Sequence, residues 1–547
     1  MTESTITRRG LVCAAAAGAV AAAAAPVLAE EAAGAEAFAF PGEEPHIGED
    51  QIAAEYDTEV LVVGAGNAGC TAALTAAQQG ARTLLIEKGE GVGTARLYVG
   101  AVNSRTQLEA GVEIDPYEVM GQMAAYASWR CDLRLWKAWV EQGGPTVDWL
   151  ADTLAPYGVV HVAEPDTGSG HMGWLKCFPT HTKFLYDDGS ECYYLPLLVE
   201  TAQSLGAEVL FQTSLLKLLT EGGRVVGAIA TDAEGGYVRI NASKGVILCT
   251  GGYSRNYELM NAWQPETVAC TTLDCSPAGN TGDGLRAGLW AGGKKDTQAT
   301  SMLFDRGICP PGSRGGEMAG RGYFRVGSQP FLKVNAHGER FTNESCPYDY
   351  ILHAGVMFEG GVHGMIMDAN YWQHIEAFHT IGCSRAVPSE TVPATHEGYG
   401  RETLDGQLAD FIEKGLVVQA DTVEELAEKM MLPANALAAT VGRYNEMCAQ
   451  GFDEDFGKPA KDLLALDTPP FYGMFFGNAQ LTTLDGLRIN ANAQVIDEHD
   501  QPIEGLYCAG DCAGGFYSDN YPELLVGNAV GKTHTFARIA ALHATRA

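Results

Sequence analysis

Positive charge is scarce in this sequence of 547 residues. Lysine and arginine together number 36, against 68 aspartate and glutamate residues, and the formal net charge is -32. A polyanion would be repelled from most of such a surface, and no run of basic residues provides a local exception. Nucleic acid is therefore excluded as a partner.

Several cofactor and repeat signatures are also missing. No C-x-x-C-H segment occurs, which excludes a covalently attached c-type haem. The 14 cysteines are scattered, apart from Cys508 and Cys512, and this favours buried free thiols. No spacing typical of metal ligands is present, so no metal site is predicted, although an iron–sulfur cluster built from distant cysteines stays open. An apolar content of 46% in a chain of this length predicts several domains.

Long apolar runs are missing beyond the N-terminus. Residues 1–29 combine Arg8 and Arg9 with an alanine-rich stretch that ends at Ala29 in a small-x-small site, and they resemble a twin-arginine signal peptide. The alternative is a membrane anchor, for which alanine is weakly apolar. We expect export to the periplasm or to the outer face of the cytoplasmic membrane. The acidic residues 30–55 are expected to form a mobile linker.

A strand, a glycine-rich turn, a helix and a second strand are predicted over residues 58–88. Gly64, Gly66 and Gly69 form G-x-G-x-x-G between the first strand and the helix. These glycines permit a tight turn, the approach of a pyrophosphate and close helix packing, in that order. Glu87 ends the second strand, where a carboxylate binds an adenosine ribose. The pattern predicts a dinucleotide site in a Rossmann-like sheet.

Later segments indicate FAD rather than NAD. The segment I-L-C-T-G-G (247–252) is similar to the A-T-G-G strand of large flavoproteins, and G-L-Y-C-A-G-D-C-A-G-G (505–515) resembles their second FAD contact, in which an Asp binds the ribityl chain. On these motifs the chain resembles the fumarate reductase and succinate dehydrogenase flavoprotein family, which also includes urocanate reductases and 3-ketosteroid dehydrogenases. The resemblance implies FAD, held by Gly64, Gly66, Ala68, Gly69, Glu87, Lys88, Gly251, Gly252, Asp283, Gly510, Asp511, Gly527, Asn528 and Ala529.

The family fold implies an α/β architecture, with a Rossmann-like FAD-binding domain that is split in sequence and an inserted α+β capping domain that closes over the flavin. We place the first part of the FAD-binding domain at residues 56–297, the capping and substrate domain at 298–481, and the C-terminal part at 482–547.

The substrate positions depart from those of fumarate reductases. By resemblance, Tyr348 stands where those enzymes have the arginine that protonates fumarate, and Leu524 stands in place of another arginine. The segment L-T-T-L-D-G (481–486) replaces their His-His-Thr-x-Gly-Gly. A carboxylate bound in a dry pocket without a cation costs several kcal/mol. A dicarboxylate is therefore disfavoured, and we expect an uncharged or singly charged substrate that contains a ring.

Tyr348 and Tyr521 resemble tyrosines of the ketosteroid dehydrogenase branch, which acts on a neutral enone. They are the candidate catalytic residues, because a tyrosine hydroxyl can donate a proton without attracting anions. The alternative is that both only pack with their hydroxyls satisfied. Four other polar residues are named as well. Arg340 and Glu344 lie in a segment that is expected to form a hinge of the cap, and Asp349 belongs to the same polar segment. Arg325 is a candidate for a proton path.

The sequence thus predicts an exported FAD-dependent oxidoreductase that reduces the C=C bond of an α,β-unsaturated carbonyl compound. No second dinucleotide motif offers an NADH site, so a membrane-bound cytochrome or a quinol-linked donor is the expected partner, as in anaerobic respiration. Three alternatives stay open: a ketosteroid-type dehydrogenase that runs in the oxidising direction, a fumarate-like or urocanate-like carboxylate reductase, and a flavin redox relay without a small-molecule substrate.

Overall fold

The computed structural model describes residues 40–93, 97–164, 170–172, 175–388 and 400–546, and of residues 170–172 it describes the backbone alone. The chain divides into one unit of residues 1–43 and a second unit of residues 44–547. The two sheets and the candidate site belong to the second unit. The predicted signal peptide (1–29) and the first part of the predicted linker lie outside the described residues.

The first sheet of the second unit has eight strands. Its central order is β20-β21-β11-β1-β2-β8, and β10 and β9 extend it from β11. The contacts of β1 with β2 and β11, of β2 with β8 and of β11 with β21 are parallel. With strands numbered along the chain, these are β1 (Ile52–Val63), β2 (Thr83–Ile86), β8 (Glu208–Leu210), β9 (Ser214–Glu221), β10 (Arg224–Thr231), β11 (Tyr237–Leu248), β20 (Gln494–Ile496) and β21 (Pro502–Cys508).

The central strands are apolar because helices cover the sheet. Residues 60–63 of β1 and residues 245–248 of β11 are all buried. The helices of this part are α1 (Asn67–Gln78), α2 (Arg105–Glu109), α3 (Pro116–Tyr126), α4 (Leu133–Leu154), α5 (Leu195–Ser204), α6 (Tyr257–Trp263), α7 (Pro265–Cys270), α8 (Asp283–Trp290) and α14 (Asn528–Ala544). Helix α1 packs between α5 and α14, and its alanines permit close approach. The Rossmann-like prediction is confirmed.

Strand β1 begins earlier than predicted. Residues 52–55, which we assigned to a mobile linker, already belong to it, because Ile52 to Thr58 pair in parallel with the first half of β11. Burial alternates along this part of the strand, as it does in a strand with one covered face. The acidic composition that favoured a linker reflects the exposed face.

The second sheet belongs to the inserted part, here called the cap. Its order is β14-β13-β18-β16-β15, and β12 and β17 also pair with β18. Strand β12 precedes the predicted cap range of 298–481, yet it joins this sheet in parallel with β18. The strands are β12 (Thr271–Asp274), β13 (Asp305–Cys309), β14 (Gly322–Tyr323), β15 (Leu332–Val334), β16 (His363–Met367), β17 (Val417–Ala420) and β18 (Phe471–Gln480).

Two apolar cores lie on the two faces of the cap sheet. Met365 and Met367 of β16 point into one core, and Ile366 between them points into the other, as the alternation of a strand requires. The helices of the cap are α9 (Tyr348–Gly355), α10 (Tyr371–Phe378), α11 (Arg401–Glu413), α12 (Val423–Lys429) and α13 (Ala434–Gln450).

Short elements complete the second unit. Three small sheets are formed by β3 (Tyr98–Gly100), β4 (Val159–Ala163) and β7 (His181–Tyr186), by β5 (Gly170–Met172) and β6 (Leu175–Cys177), and by β19 (Leu487–Arg488) and β22 (Ala513–Gly514). Single 3₁₀ turns occur at Glu49–Gln51, Ala155–Tyr157, Arg325–Ser328, Gly382–Ser384, Ala460–Asp462 and Gly510–Cys512. Within the described ranges, no helix has the length and apolarity needed to cross a bilayer.

Candidate active site

A cleft of about 440 Å³ lies at the carboxyl ends of β1, β2 and β11. This is the edge of a parallel sheet at which open α/β folds bind ligands. Ten of the residues predicted to bind the cofactor line the cleft: Gly64, Gly66, Ala68, Glu87, Lys88, Gly251, Asp283, Gly510, Asp511 and Ala529.

The glycine turn before α1 leaves room for an anion. A Cβ on Gly69 would lie 1.6 Å from the carbonyl oxygen of Gly64, whereas a Cβ on Gly66 would meet no protein atom within 4 Å. Gly69 therefore serves the packing of helix on strand, and Gly66 leaves open the space in front of the helix N-terminus. Backbone N–H groups and the helix dipole favour a pyrophosphate there.

Asn67, in the same turn, lines the cleft and was not predicted. Its Nδ2 lies 3.1 Å from Nε2 of His534, whose Nδ1 lies 2.6 Å from the hydroxyl of Thr71. Burial lowers the pKa of His534 to about 3, so the imidazole is neutral and orients Asn67 without adding charge. The interval between two motif glycines gave no signal for this residue, because its partner is far away in sequence.

Acidic and basic side chains line the two sides of the cleft. Glu87 accepts hydrogen bonds from the backbone N–H of Ala65 at 2.7 Å and of Gly89 at 2.8 Å, which fixes the carboxylate at the end of β2. Lys88 is paired with Asp283 at 2.7 Å and donates to Thr281 at 2.8 Å. Lys88 and Asp283 were predicted as separate cofactor ligands, and the structure joins them as one ion pair.

A buried lysine positions the Gly510–Asp511 turn. Lys532 of α14 donates from Nζ to the carbonyl oxygens of Gly510 and Ala513, both at 3.0 Å. The hydroxyl of Thr482 donates to Asp511 at 2.8 Å. Asp511 is thereby fixed at the wall of the cleft, and Lys532 and Thr482 are positioning residues that single-sequence motifs did not reveal.

Four predicted cofactor residues do not line the cleft. Gly69 packs α1 on the sheet, and a Cβ on Gly252 would lie 2.0 Å from Oγ1 of Thr483. Gly527, with φ +73°, is the N-cap of α14, and Asn528 accepts a hydrogen bond from Tyr517 at 2.6 Å. They support the walls rather than form them.

The cleft still offers polar atoms that have no protein partner. The hydroxyl of Thr250, which lines it, has only the thiol of Cys512 as a neighbour, and behind the wall Nδ2 of Asn528 is buried without a hydrogen bond in the described part of the chain. Buried polar groups are normally satisfied, so both indicate contacts with a ligand. The open space at Gly66, the fixed carboxylate of Glu87 and the Asp511 turn fit a dinucleotide.

Tyr348 lies where the cap meets the FAD-binding part. It is the first residue of α9 and is 1% exposed. Its ring stacks on Phe304 with a centroid distance of 4.6 Å, and its hydroxyl makes no hydrogen bond to a nitrogen or oxygen atom of any described residue, so that the thiol of Cys383, a weak acceptor, is its polar neighbour. Burial, the neighbouring Cys383 and Glu523, and Tyr521 raise the pKa of Tyr348 well above 10. The hydroxyl is therefore protonated at neutral pH.

A buried cation was missed by the sequence reading. The guanidinium of Arg306 lies 4.9 Å from the ring centre of Phe304 and 5.5 Å from that of Tyr348. It donates to the hydroxyls of Ser328 at 2.8 Å and Tyr323 at 2.6 Å, and to the carbonyl oxygen of Cys383. These three neutral acceptors use three of its five N–H donors. Arg306 lies in β13, which carries no motif.

A buried carboxylate connects the two parts of the site. Glu523 accepts from the backbone N–H of Tyr348 at 3.0 Å and from the hydroxyl of Ser384 at 2.7 Å. Burial raises its pKa to about 7, against the lowering effect of these two hydrogen bonds and of Arg306. Leu524, beside it, is fully buried.

Tyr521 and Asp349 also lie at this interface. Tyr521 is 3% exposed, and its hydroxyl is 3.5 Å from the backbone nitrogen of Ala529 at the start of α14. Asp349 accepts from the hydroxyl of Tyr126 at 2.8 Å, and its pKa is raised well above 3.8, mainly by burial. The structure thus brings both predicted tyrosines to the same interface between cap and cleft.

The other weakly assigned residues have structural contacts. Arg340 forms buried ion pairs with Glu344 and with Asp453, both at 2.8 Å, inside the cap. Arg325 begins a 3₁₀ turn and is close enough to Cys383 to affect its pKa. Arg340 and Glu344 thus belong to a buried ion-pair cluster, and the hinge expected of their segment stays a prediction. Across the described ranges, no three His, Cys, Asp or Glu side chains converge as a metal site would require.

Comparisons with known proteins agree with this geometry. A family model described as FAD binding domain matches residues 59–523. A vinyl phenol reductase of Lactiplantibacillus plantarum is 29% identical over 511 residues, which is 90% of this chain and 97% of that protein. A 3-oxosteroid 1-dehydrogenase of Mycobacterium tuberculosis is 29% identical over 375 residues, 62% of this chain and 60% of that protein.

The fold is also shared with a solved structure. The open conformation of a flavocytochrome c3 fumarate reductase superposes with a TM-score of 0.66 at 24% identity, and the match covers 94% of this chain and 84% of that one. The family match and the geometry of the cleft agree on the cofactor, which is FAD.

Proposed function

The chain belongs to the FAD binding domain family and is an FAD-dependent oxidoreductase that acts on CH–CH bonds, and from this premise we propose that it reduces the C=C bond of an α,β-unsaturated carbonyl compound. The compound is an enone, an enoate or an unsaturated lactone, uncharged or singly charged, and contains a ring. The observation that carries the proposal is the buried and protonated hydroxyl of Tyr348, whose polar neighbour among the described residues is the weakly accepting thiol of Cys383.

Two partners are needed to saturate a polarised C=C bond. Reduced FAD supplies a hydride equivalent to the β-carbon, and the chain must supply a proton to the α-carbon and a donor to the carbonyl oxygen. Tyr348 suits the first task, because its proton is retained at neutral pH and no protein group competes for it. Tyr521, on the same interface, is the candidate donor to the carbonyl oxygen.

The charges around Tyr348 support a substrate with at most one negative charge. Arg306 is the buried cation beside it among the described residues, and it is already bonded to Ser328, Tyr323 and Cys383. By resemblance, Leu481 and Thr482 stand at the two histidine positions of fumarate reductases and Leu524 stands at one of their arginine positions, and all three side chains are uncharged. A dicarboxylate would leave one charge without a partner, at a cost of several kcal/mol.

A second candidate is an alkene conjugated to a phenol ring. It is supported by the similarity to a vinyl phenol reductase along 97% of that protein. The stacked rings of Phe304 and Tyr348, with the guanidinium of Arg306 against both, make the surroundings of the Tyr348 hydroxyl aromatic, which suits an aromatic substrate. The dehydrogenase direction remains the alternative suggested by the 3-oxosteroid 1-dehydrogenase likeness.

We further propose that the protein is exported by the twin-arginine route and receives electrons from a membrane-bound cytochrome or a quinol-linked donor. The paired Arg8 and Arg9 and the absence of a second dinucleotide motif in the sequence support this.

An anaerobic assay with reduced viologen tests the function. The FAD-loaded protein should be reoxidised rapidly by one or more ring-containing enones, lactones, enoates or vinyl phenols, and slowly by fumarate. Tyr348→Phe should lose about 10²–10⁴-fold in turnover while keeping FAD. Tyr117→Phe, at a tyrosine that is 77% exposed, is the matched control and should keep full turnover. Reoxidation by fumarate at the rate of the best panel member would overturn the substrate class.

A further inference from the structure

Glu523 is a buried carboxylate that the reaction above does not use. It is fully buried, and no lysine, arginine or histidine forms an ion pair with it in the part of the chain that the structure describes. Its two oxygens accept one hydrogen bond each, from the Tyr348 backbone and from the Ser384 hydroxyl. A buried carboxylate is normally paired with a cation, and this one is bonded instead to two neutral groups beside the candidate proton donor.

The surroundings of Glu523 favour a carboxyl group that gains and loses a proton near neutral pH. Burial is the main cause of the pKa of about 7, and Arg306 is the one nearby cation that lowers it. Six other titratable groups lie close enough to Glu523 for the charge of one to shift the pKa of the other. They are Tyr126 on α3, Cys346 just before α9, Tyr348, Asp349 and Tyr350 at the start of α9, and Cys383 in the 382–384 turn. Burial raises the pKa of each of these groups, so none of them is a cation, and the tyrosine and cysteine side chains among them stay protonated near pH 7.

A small cavity reaches the other side of Ser384. It has a volume of about 40 Å³, and water needs roughly 10–15 Å³. Its outer wall carries the exposed His379 and Lys461, and its inner wall carries the buried Ser384. Between them, Asp462 accepts hydrogen bonds from Lys461 at 2.9 Å and from Ser345 at 2.7 Å. A polar path therefore runs from solvent to Ser384.

We propose that Glu523 is the proton store of the active site, which reprotonates Tyr348 after each turnover and is itself refilled from this cavity through the hydroxyl of Ser384. The inference rests on the proposed role of Tyr348 as the acid. In each cycle Tyr348 gives its proton to the α-carbon of the substrate and becomes a phenolate. The carboxylic acid of Glu523 returns a proton to that phenolate, and the resulting carboxylate takes a proton that enters the cavity from bulk solvent and passes through the hydroxyl of Ser384. One proton enters by this path for each C=C bond reduced, and together with the hydride equivalent from reduced FAD it supplies the two hydrogens of the saturated product.

Infrared spectroscopy of the FAD-loaded protein tests the store without any substrate. The carbonyl band of a protonated carboxylic acid should be present below pH 7, should disappear with a midpoint near pH 7, and should be missing from Glu523→Gln. In D₂O the band should shift rapidly in the wild type and more slowly, by about tenfold or more, in Ser384→Ala, and Ser384→Thr should restore the rate. A wild-type spectrum that lacks a band removable by Glu523→Gln would overturn the proposal even if turnover is high.

Stopped-flow reoxidation with the best panel substrate tests the delivery. The wild-type rate should fall as the pH rises through about 7, and Glu523→Gln should be slower by about 10²-fold at pH 6 with no such inflection. Reduction of the flavin by viologen should be unchanged in both. Asp349→Asn, which removes the other buried carboxyl beside Tyr348, should keep the inflection. The inference would be overturned if Asp349→Asn lost the inflection or if Glu523→Gln kept it. A wild type that no substrate reoxidises would overturn the proposed function instead. In that case the infrared result alone would decide whether Glu523 stores a proton.

Discussion

The Tyr348 hydroxyl predicts an unusual combination of effects for a single substitution. It is buried and makes no hydrogen bond to a nitrogen or oxygen atom of any described residue, so Tyr348→Phe removes from the interior a polar group whose neighbour is only the weakly accepting thiol of Cys383. Leaving such a group unpaired costs about 1–3 kcal/mol. The substitution should therefore raise the free energy of unfolding by about 1 kcal/mol while it lowers turnover by about 10²–10⁴-fold. If the ring of Tyr348 only filled space, Tyr348→Phe would raise the free energy of unfolding and leave turnover at the wild-type rate.

Tyr253 offers the matched comparison. It is also fully buried, but its hydroxyl donates to both carboxylate oxygens of Asp485 at 2.9 Å and accepts from Gln264 at 2.8 Å. Tyr253→Phe deletes the same atom and leaves a buried carboxylate with one donor fewer. A hydrogen bond to a charged group contributes about 1.5–3 kcal/mol, so the free energy of unfolding should fall by that amount.

Urea denaturation of the two FAD-loaded variants, followed by tryptophan and flavin fluorescence, measures both shifts under one condition. The urea midpoint should rise for Tyr348→Phe and fall for Tyr253→Phe. Equal losses of stability in both variants would refute the reasoning, because they would mean that the Tyr348 hydroxyl is hydrogen-bonded in the resting protein.

Three further predictions concern the cleft, the cap and the pH dependence of stability. Gly66→Ala should change the free energy of unfolding of the FAD-free protein by less than about 1 kcal/mol, because its Cβ meets no protein atom, and should weaken FAD binding at least about tenfold. Gly69→Ala, by contrast, should impair folding itself. The FAD content after purification and urea unfolding of the FAD-free protein distinguish the two effects. Arg340→Met should destabilise the cap by about 3–5 kcal/mol, since it leaves the buried Asp453 without its cation and Glu344 with Lys458 alone. Arg443→Met, which breaks an exposed ion pair, should cost less than about 1 kcal/mol in the same urea titration. Glu523 keeps its proton up to about pH 7 in the folded chain, but it releases the proton near pH 4.5 when the chain is unfolded. As the pH rises from 4.5 to 7, the free energy of unfolding of the wild type should therefore fall by a few kcal/mol relative to that of Glu523→Gln, and above pH 7 the difference should stay constant. A stability difference that is constant between pH 4.5 and 8 would contradict the burial of Glu523.

Much of the FAD-binding part could be predicted from the sequence because its signals are local. The tight turn at Gly64, the open space at Gly66 and the close packing at Gly69 each require glycine within one short segment, and Glu87 follows at the end of the adjacent strand. Backbone geometry that only glycine satisfies leaves a readable pattern. The same holds for the Gly510–Asp511 turn, although the lysine that supports it does not belong to any motif.

The substrate region was only partly predictable because its residues meet across long sequence distances. Tyr348 was identified through the arginine that it replaces by resemblance, and not through its own surroundings. Arg306, Ser384 and Glu523 carry no local signal: each becomes important only because the cap sheet, the 382–384 turn and the C-terminal segment meet at one interface. Arg340 and Glu344, which are polar and close to Tyr348 in sequence, point instead into the interior of the cap.

Pairing between strands that are distant in sequence also determines at what point in synthesis the two sheets can form. Val246 of β11 pairs with Leu506 of β21, and Thr271 of β12 pairs with Asn478 of β18, so both sheets need strands from the last fifth of the chain. Contacts between such distant residues form slowly, because the intervening chain must first be ordered. While the polypeptide is being synthesised, the apolar edge of β11 therefore stays unpaired until Cys508 has left the ribosome. A product that ends before Pro502 would keep this edge exposed, and aggregation of the truncated chain is the physical consequence.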